Sequence, residues 1–213
     1  MTLLRPFFRW INTPFLWSLL LMVTLFNLPI AMNFMADFRT GYRGDGTIAP
    51  LFTPQVHHWE RQIAQWSRDW DVDPNLLATI MQIESCGHPT VTSHAGAQGL
   101  FQVMPFHFAQ GEHMLDPHTN ALRSTNFIHE CNGYADGDIG LILACYNGGP
   151  RVTWTPFGSW PAETQRYYTW GLGIYADAYT NRSDSPTLDS WLQAGGRHLC
   201  NSAAQQLGMR TRV

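Results

Sequence analysis

Residues 73–105 read DPNLLATIMQIESCGHPTVTSHAGAQGLFQVMP. Asp73-Pro74 marks a helix start, because Asp is a favoured N-cap and Pro fits the first turn. Cys86-Gly87-His88-Pro89 is punctuation, so the helix is predicted to end at about Ser85. Leu77, Ile80, Met81 and Glu84 fall at i, i+3, i+4 and i+7, which places Glu84 within the apolar stripe. Desolvation and the negative end of the helix dipole both disfavour a charge there. Both raise the carboxyl pKa, as a general acid working near neutral pH requires. The bland alternative is a surface Glu at a misjudged helix end. Ser93 to Pro105 then reads as a Gly-rich loop leading into a short helical or extended piece. It lacks a Gly-Lys-Ser/Thr ending and so is no phosphate loop.

Upstream, Trp59, Ile63, Trp66 and Trp70 are spaced as the buried face of an amphipathic helix over 57–70. Asp69, Asp71 and Asp73 alternate after it, but Pro74 and Ile80 stand where a calcium loop needs Gly and Glu, so capping is the better reading. Residues 37–56, with Gly41, Gly44, Gly46, Pro50 and Pro54, read as a linker. As a flexible coil of about 20 residues it would reach roughly 25 Å. Residues 15–36, FLWSLLLMVTLFNLPIAMNFMA, carry no charge and suit a hydrocarbon core of ~30 Å. Arg5 and Arg9 precede them and, by the positive-inside rule, stay in the cytoplasm with residues 1–14. The expectation is a single-pass signal anchor with the remaining chain outside. A cleaved signal peptide competes, although Phe34 stands where an A-x-A-like site needs a small residue.

Downstream, Leu115-Asp116-Pro117 opens a helix that carries Asn120, Ala121, Phe127, Ile128 and Cys131 to a stop near Asn132-Gly133. Asp138 caps an apolar, central helix, Ile139 to Cys145, that ends in Tyr146-Asn147-Gly148-Gly149-Pro150. Pro161 begins another helix with Glu163, Thr164, Tyr167 and Tyr168, and 186–208 holds one or two more. No long period-two run occurs, so the fold class is mainly α, a helical domain over 57–182 with a helical extension over 183–213 packed on it.

The 213 residues are 45% hydrophobic, and 13% are aromatic with nine Trp; such rings anchor cores or stack on sugar faces. Every one of the 13 cations is Arg and the net charge is −3, which argues against nucleic acid as a partner. Of four Cys, Cys131 shares a helical face with Phe127 and Ile128, and Cys145 sits in an apolar run. Both are candidate buried thiols, which leaves Cys86–Cys200 as the best single disulfide by elimination. There is no CxxC, and His107, His113 and His118 fall in an irregular loop, so no metal and no cofactor are expected.

Four motifs now stand in order: Ile-Glu-Ser at a helix end, the loop sequence GAQGLFQVMP from Gly96 to Pro105, Cys-Tyr-Asn-Gly-Gly-Pro, and Glu-Thr-Gln-Arg-Tyr. Their order resembles the family 1 lytic transglycosylases, whose catalytic domain is related to soluble lytic transglycosylase and goose-type lysozyme. The resemblance covers residues 72–168. It implies a lysozyme-like, mostly helical fold that cleaves the MurNAc–GlcNAc bond of peptidoglycan glycan strands, outside a bacterial cytoplasmic membrane. It makes Glu84 the sole catalytic acid and base, next to Ser85. It implies that Gln102 and Met104 line the sugar cleft, and that Ser85, Tyr146, Asn147, Glu163 and Tyr167 contact substrate. Three positions depart from the family pattern: Phe101 replaces the usual Met, Cys145 a small Ala, and Ser124 a Gly. A hydrolytic lysozyme and a non-catalytic glycan-binding scaffold are the competing readings.

Overall fold

A computed structural model describes residues 46–209. The anchor expected at 15–36, the residues before it, the linker residues 37–45 and the terminal residues 210–213 lie outside the described residues. Eight α-helices are found among the described residues: α1 (Pro54–His57), α2 (Glu60–Trp70), α3 (Pro74–Glu84), α4 (Pro117–Ala135), α5 (Ile139–Gly148), α6 (Ala162–Tyr179), α7 (Pro186–Trp191) and α8 (Arg197–Gln206). Short 3-10 turns and one π turn, Leu192–Gly196, link them. The described residues form no strand, only isolated bridges pairing Gln98 with Thr92 and with Val103. None of the described helices is long and apolar enough to cross a membrane.

The helix starts are written locally. Asp73, Asp116, Asp138 and Ser185 each accept a backbone N–H from the first turn of the helix they precede, and Pro follows three of the four. Asp73 does more, because its second carboxylate oxygen accepts the Tyr175 hydroxyl at 2.7 Å. That bond joins the start of α3 to the far end of α6 across 102 residues. Asp71 and Asp136 end α2 and α4 in the left-handed region, which Asp tolerates better than most residues.

Two helices are buried at the centre. In α5, Ile139, Gly140, Ile142, Leu143, Ala144, Cys145 and Tyr146 are all buried, and the helix packs between α4 and α6. A Cβ on Gly140 would come within 2.5 Å of the Tyr168 ring, so glycine lets α5 and α6 approach. In α3, every residue from Pro74 to Gln82 is buried. The single apolar stripe expected from the sequence is too narrow a description, since α2, α6 and the segment before α1 cover α3 on several sides.

That segment corrects the linker assignment over 46–56. Ile48, Ala49, Leu51, Phe52 and Val56 are buried core residues. Ala49 N donates to Asn75 Oδ1, and Thr53 N donates to Gln82 Oε1. The Gly and Pro residues there mark turns of a strap laid along α3, and its apolar side chains are what hold it down.

The Cys86–Cys200 disulfide is present and ties α8 to the end of α3. Cys131 and Cys145, expected as buried thiols, form a second disulfide, so that expectation is corrected. Each lies seven residues from Asp138. Two helical turns in each direction therefore bring them level across the antiparallel α4–α5 pair, with Cα atoms 5.7 Å apart.

Asp73→Ala removes a cap and leaves the buried Tyr175 hydroxyl without this acceptor. The expected loss is about 2–4 kcal/mol, read as a lower urea midpoint with an unchanged m-value.

Candidate active site

Glu84 is the last residue of α3. The chain reverses directly after it, with Cys86 and Gly87 both at positive φ. A Cβ at Gly87 would lie 2.7 Å from the Gln55 carbonyl oxygen, so the reversal needs glycine. Trp59 Nε1 donates to the Gly87 carbonyl and fixes the turn from outside. Glu84 is thereby left at a helix end, half-buried, with protein packed around it and one side open.

Its surroundings raise the carboxyl from 4.5 up to about 8. Burial is the main cause, since a carboxylate loses hydration that an acid does not need. The Tyr167 hydroxyl pulls the value back, and the negative charge of Glu163 raises it further. Tyr167 is buried, and its hydroxyl makes no well-formed hydrogen bond, so its approach to the carboxyl is loose. Burial first, then Glu84, push the Tyr167 phenol well above its usual range. It therefore keeps its proton as a donor facing the Glu84 carboxyl.

Tyr146 is braced differently. Its hydroxyl donates to the Phe101 carbonyl at 2.8 Å and lies 2.9 Å from Ser124 Oγ. With its one proton directed at Phe101, the phenol accepts from Ser124. Ser124, where the resembled family carries Gly, is fully buried and fills its place with this hydrogen bond. Burial first, then the charge of Glu84, raise the Tyr146 phenol well above its usual range.

Asn147 follows on the last turn of α5. The buried Thr164 hydroxyl donates to its Oδ1 at 2.8 Å, which leaves the amide nitrogen as the outward donor. Glu163 is exposed at the start of α6. Together these place Glu84, Tyr146, Asn147, Glu163 and Tyr167 around one region, from three helices.

The loop over 86–104 meets this region through Phe101, whose carbonyl accepts from Tyr146. Asn120, fully buried on α4, accepts from Phe101 N through Oδ1 and donates through Nδ2 to the Gln98 and Met114 carbonyls. A Cβ on Gly99, at φ +70°, would meet that amide at 2.9 Å. Gln102 Nε2 donates to the Val91 and Gly99 carbonyls, so this side chain braces the loop. Met104 is half-buried where the loop enters the Pro105–His107 turn. Ser85 stands apart from the other expected contacts. It is fully buried, donates to the Leu100 carbonyl at 2.6 Å and accepts from Gly87 N. Its role in this structure is to fasten the loop to the helix end, not to meet a ligand.

Asn120 and Thr164 are not among the site residues expected from the sequence. Thr164 lies inside the quoted Glu-Thr-Gln-Arg-Tyr motif, whereas nothing local marks Asn120 as the pin of a loop 19 to 22 residues upstream. Among the described residues no cluster of three or more His, Cys, Asp or Glu could hold a metal ion. His118 accepts from Trp66 Nε1 at 3.1 Å instead.

The sequence pattern described as the transglycosylase SLT domain matches residues 61–168, about half of the chain and all of this site. The chain belongs to the transglycosylase SLT family. It is 33% identical over 114 residues to the transglycosylase of Enterobacteria phage PRD1, a match covering 51% of this chain and 40% of that protein. It is 31% identical over 126 residues to the membrane-bound lytic murein transglycosylase C of Cronobacter sakazakii, covering 49% of this chain and 35% of that protein. A shorter stretch of 36 residues is 53% identical to the endo-type membrane-bound lytic murein transglycosylase A of Klebsiella pneumoniae, covering 17% and 18%. The chain thus spans well under two thirds of these SLT relatives.

Between pH 4.5 and about 8 the folded protein holds a proton on Glu84 that the unfolded chain releases. Stability therefore falls as pH rises through that window, and the deficit is complete above it. Glu84→Gln cannot ionise and is expected to gain about 1–3 kcal/mol over the parent protein in alkaline buffer, with solvent in the cleft limiting the gain. In acidic buffer the two are expected to coincide. Urea unfolding at both ends of the window measures this.

Proposed function

We propose that this protein is a membrane-anchored lytic transglycosylase that cleaves the β-1,4 bond between MurNAc and GlcNAc in peptidoglycan. The observation that carries the proposal is the place of the Glu84 carboxyl, half-buried at the end of α3 beside the Tyr167 phenol, where burial raises it to about 8 and keeps it protonated at neutral pH. The names of the SLT relatives support the reaction class. The uncharged run over 15–36 and the words "membrane-bound" in two of those names support an anchor, with the domain outside the cytoplasmic membrane.

In the proposed reaction, the Glu84 O–H protonates the glycosidic oxygen while the bond from MurNAc C1 to that oxygen breaks. GlcNAc leaves with a free hydroxyl. The MurNAc N-acetyl oxygen supports the cationic C1. The Glu84 carboxylate then takes the proton of the C6 hydroxyl as O6 bonds to C1. The product is 1,6-anhydro-MurNAc, no water is consumed, and Glu84 ends protonated as it began. Tyr167 supplies the donor that steadies Glu84 in its ionised interval. Asn147, oriented by Thr164, offers its amide N–H to the sugar.

Hydrolysis is the second reading, favoured by one observation: Glu163 is close enough to raise the Glu84 pKa and could direct a water. Mass spectrometry of digested sacculi separates the two, because anhydro ends are one water lighter than reducing ends. We expect anhydro ends, and reducing ends alone would sink the transglycosylase assignment. Glu84→Gln is expected to lower solubilisation of sacculi by about 10²–10⁴-fold or more with the helical circular dichroism unchanged. The rate is also expected to fall as pH rises through about 8, where the acid form is lost.

A further inference from the structure

The Pro105–His107 turn carries an aromatic ring that the fold does not use. Phe106 is 76% exposed. A lone exposed Phe is ordinary. This one begins a continuous file of rings. Its centroid lies 4.5 Å from His107, His107 lies 4.4 Å from Phe127, and Phe127 lies 5.5 Å from Tyr146. The file passes from solvent, through the half-buried His107 and Phe127, to the buried phenol that braces the cleft loop beside Glu84.

We propose that Phe106, His107 and Phe127 form a stacking platform that extends the cleft past Met104 and holds sugars of the same glycan strand remote from the bond being cut. The platform rests on the function proposed above. The C–H face of a pyranose is apolar and flat enough to lie on an aromatic ring, while its edges are polar. The file suits that pattern, since rings alternate with polar atoms from the imidazole and the exposed Glu130 carboxylate nearby. Burial pushes the His107 imidazole below its usual value, and Glu130 opposes the shift. The neutral ring offers one donor and one acceptor to hydroxyl and acetamide groups. A lipid surface fits less well. The platform is a single file, not a broad apolar face, and the chain has a net charge of −3.

The test uses the full chain carrying Glu84→Gln, so that binding is read without turnover. The probes are peptide-stripped glycan strands, separated by length, and the readout is intrinsic tryptophan fluorescence or calorimetry. Adding Phe106→Ala is expected to weaken binding of long strands about three- to tenfold. Binding of a single GlcNAc–MurNAc disaccharide is expected to stay unchanged, and Phe106→Trp is expected to keep the long-strand affinity. Phe106 is exposed enough for these variants to fold, which circular dichroism checks. Trp154, 64% exposed and in edge-on contact with Tyr134 outside the file, is the control, and Trp154→Ala is expected to bind as the parent does. Unchanged long-strand binding by Phe106→Ala, or an equal loss from Trp154→Ala, overturns the platform and leaves the proposed reaction standing. Loss of binding to phosphatidylglycerol vesicles, with glycan binding intact, assigns the ring to a membrane and also overturns it. A Glu84→Gln protein that binds no glycan of any length overturns both readings.

Discussion

In the reaction proposed above, the Glu84 carboxyl must be dehydrated enough to keep its proton near neutral pH and open enough to reach a substrate. Those demands conflict, because a group sealed in the core is unreachable and a group in water ionises at its ordinary value. The fold resolves the conflict with a helix end. The body of α3 is buried from Pro74 to Gln82, and the chain turns away directly after Glu84. The carboxyl is left among phenols, with Tyr167 loosely opposed to it and Tyr146 turned away toward Phe101.

Much of the remaining structure keeps that end of α3 in place. Gln82, one turn before the reversal, accepts from Thr53 and donates to the sulfurs of the Cys86–Cys200 disulfide. Ser85 anchors the loop to the helix, and Asn120 anchors the loop to α4. Asp73 and Tyr175 secure the opposite end of the helix. Few of these groups can touch a substrate. They fix where the carboxyl sits relative to Asn147 and the loop, and in the proposed reaction a misplacement of about 1 Å is enough to cost a large factor in rate.

The helices themselves were legible because their signals are local. Asp-Pro pairs, a capping Asp138 and a stop at Gly-Gly-Pro act within a turn of the positions they mark. The costly placement of Glu84 was legible too, from its position in an apolar register beside a family motif. Ser85 misled for the same reason: adjacency to Glu84 in sequence says nothing about which way a side chain turns when the chain reverses. The strap over 46–56 misled because Gly and Pro describe backbone shape and are silent about burial. The second disulfide had a readable spacing about Asp138, but only once α4 and α5 are known to run antiparallel.

By itself the sequence determined the helical elements, their ends, and a carboxyl placed where charge is costly. Only the tertiary structure decided what surrounds that carboxyl: a loosely opposed Tyr167, a nearby Glu163, and a loop pinned by Asn120 from a distant helix. The division follows range. Capping and periodicity are settled within a few residues, whereas desolvation and the orientation of a phenol depend on groups brought together from across the chain.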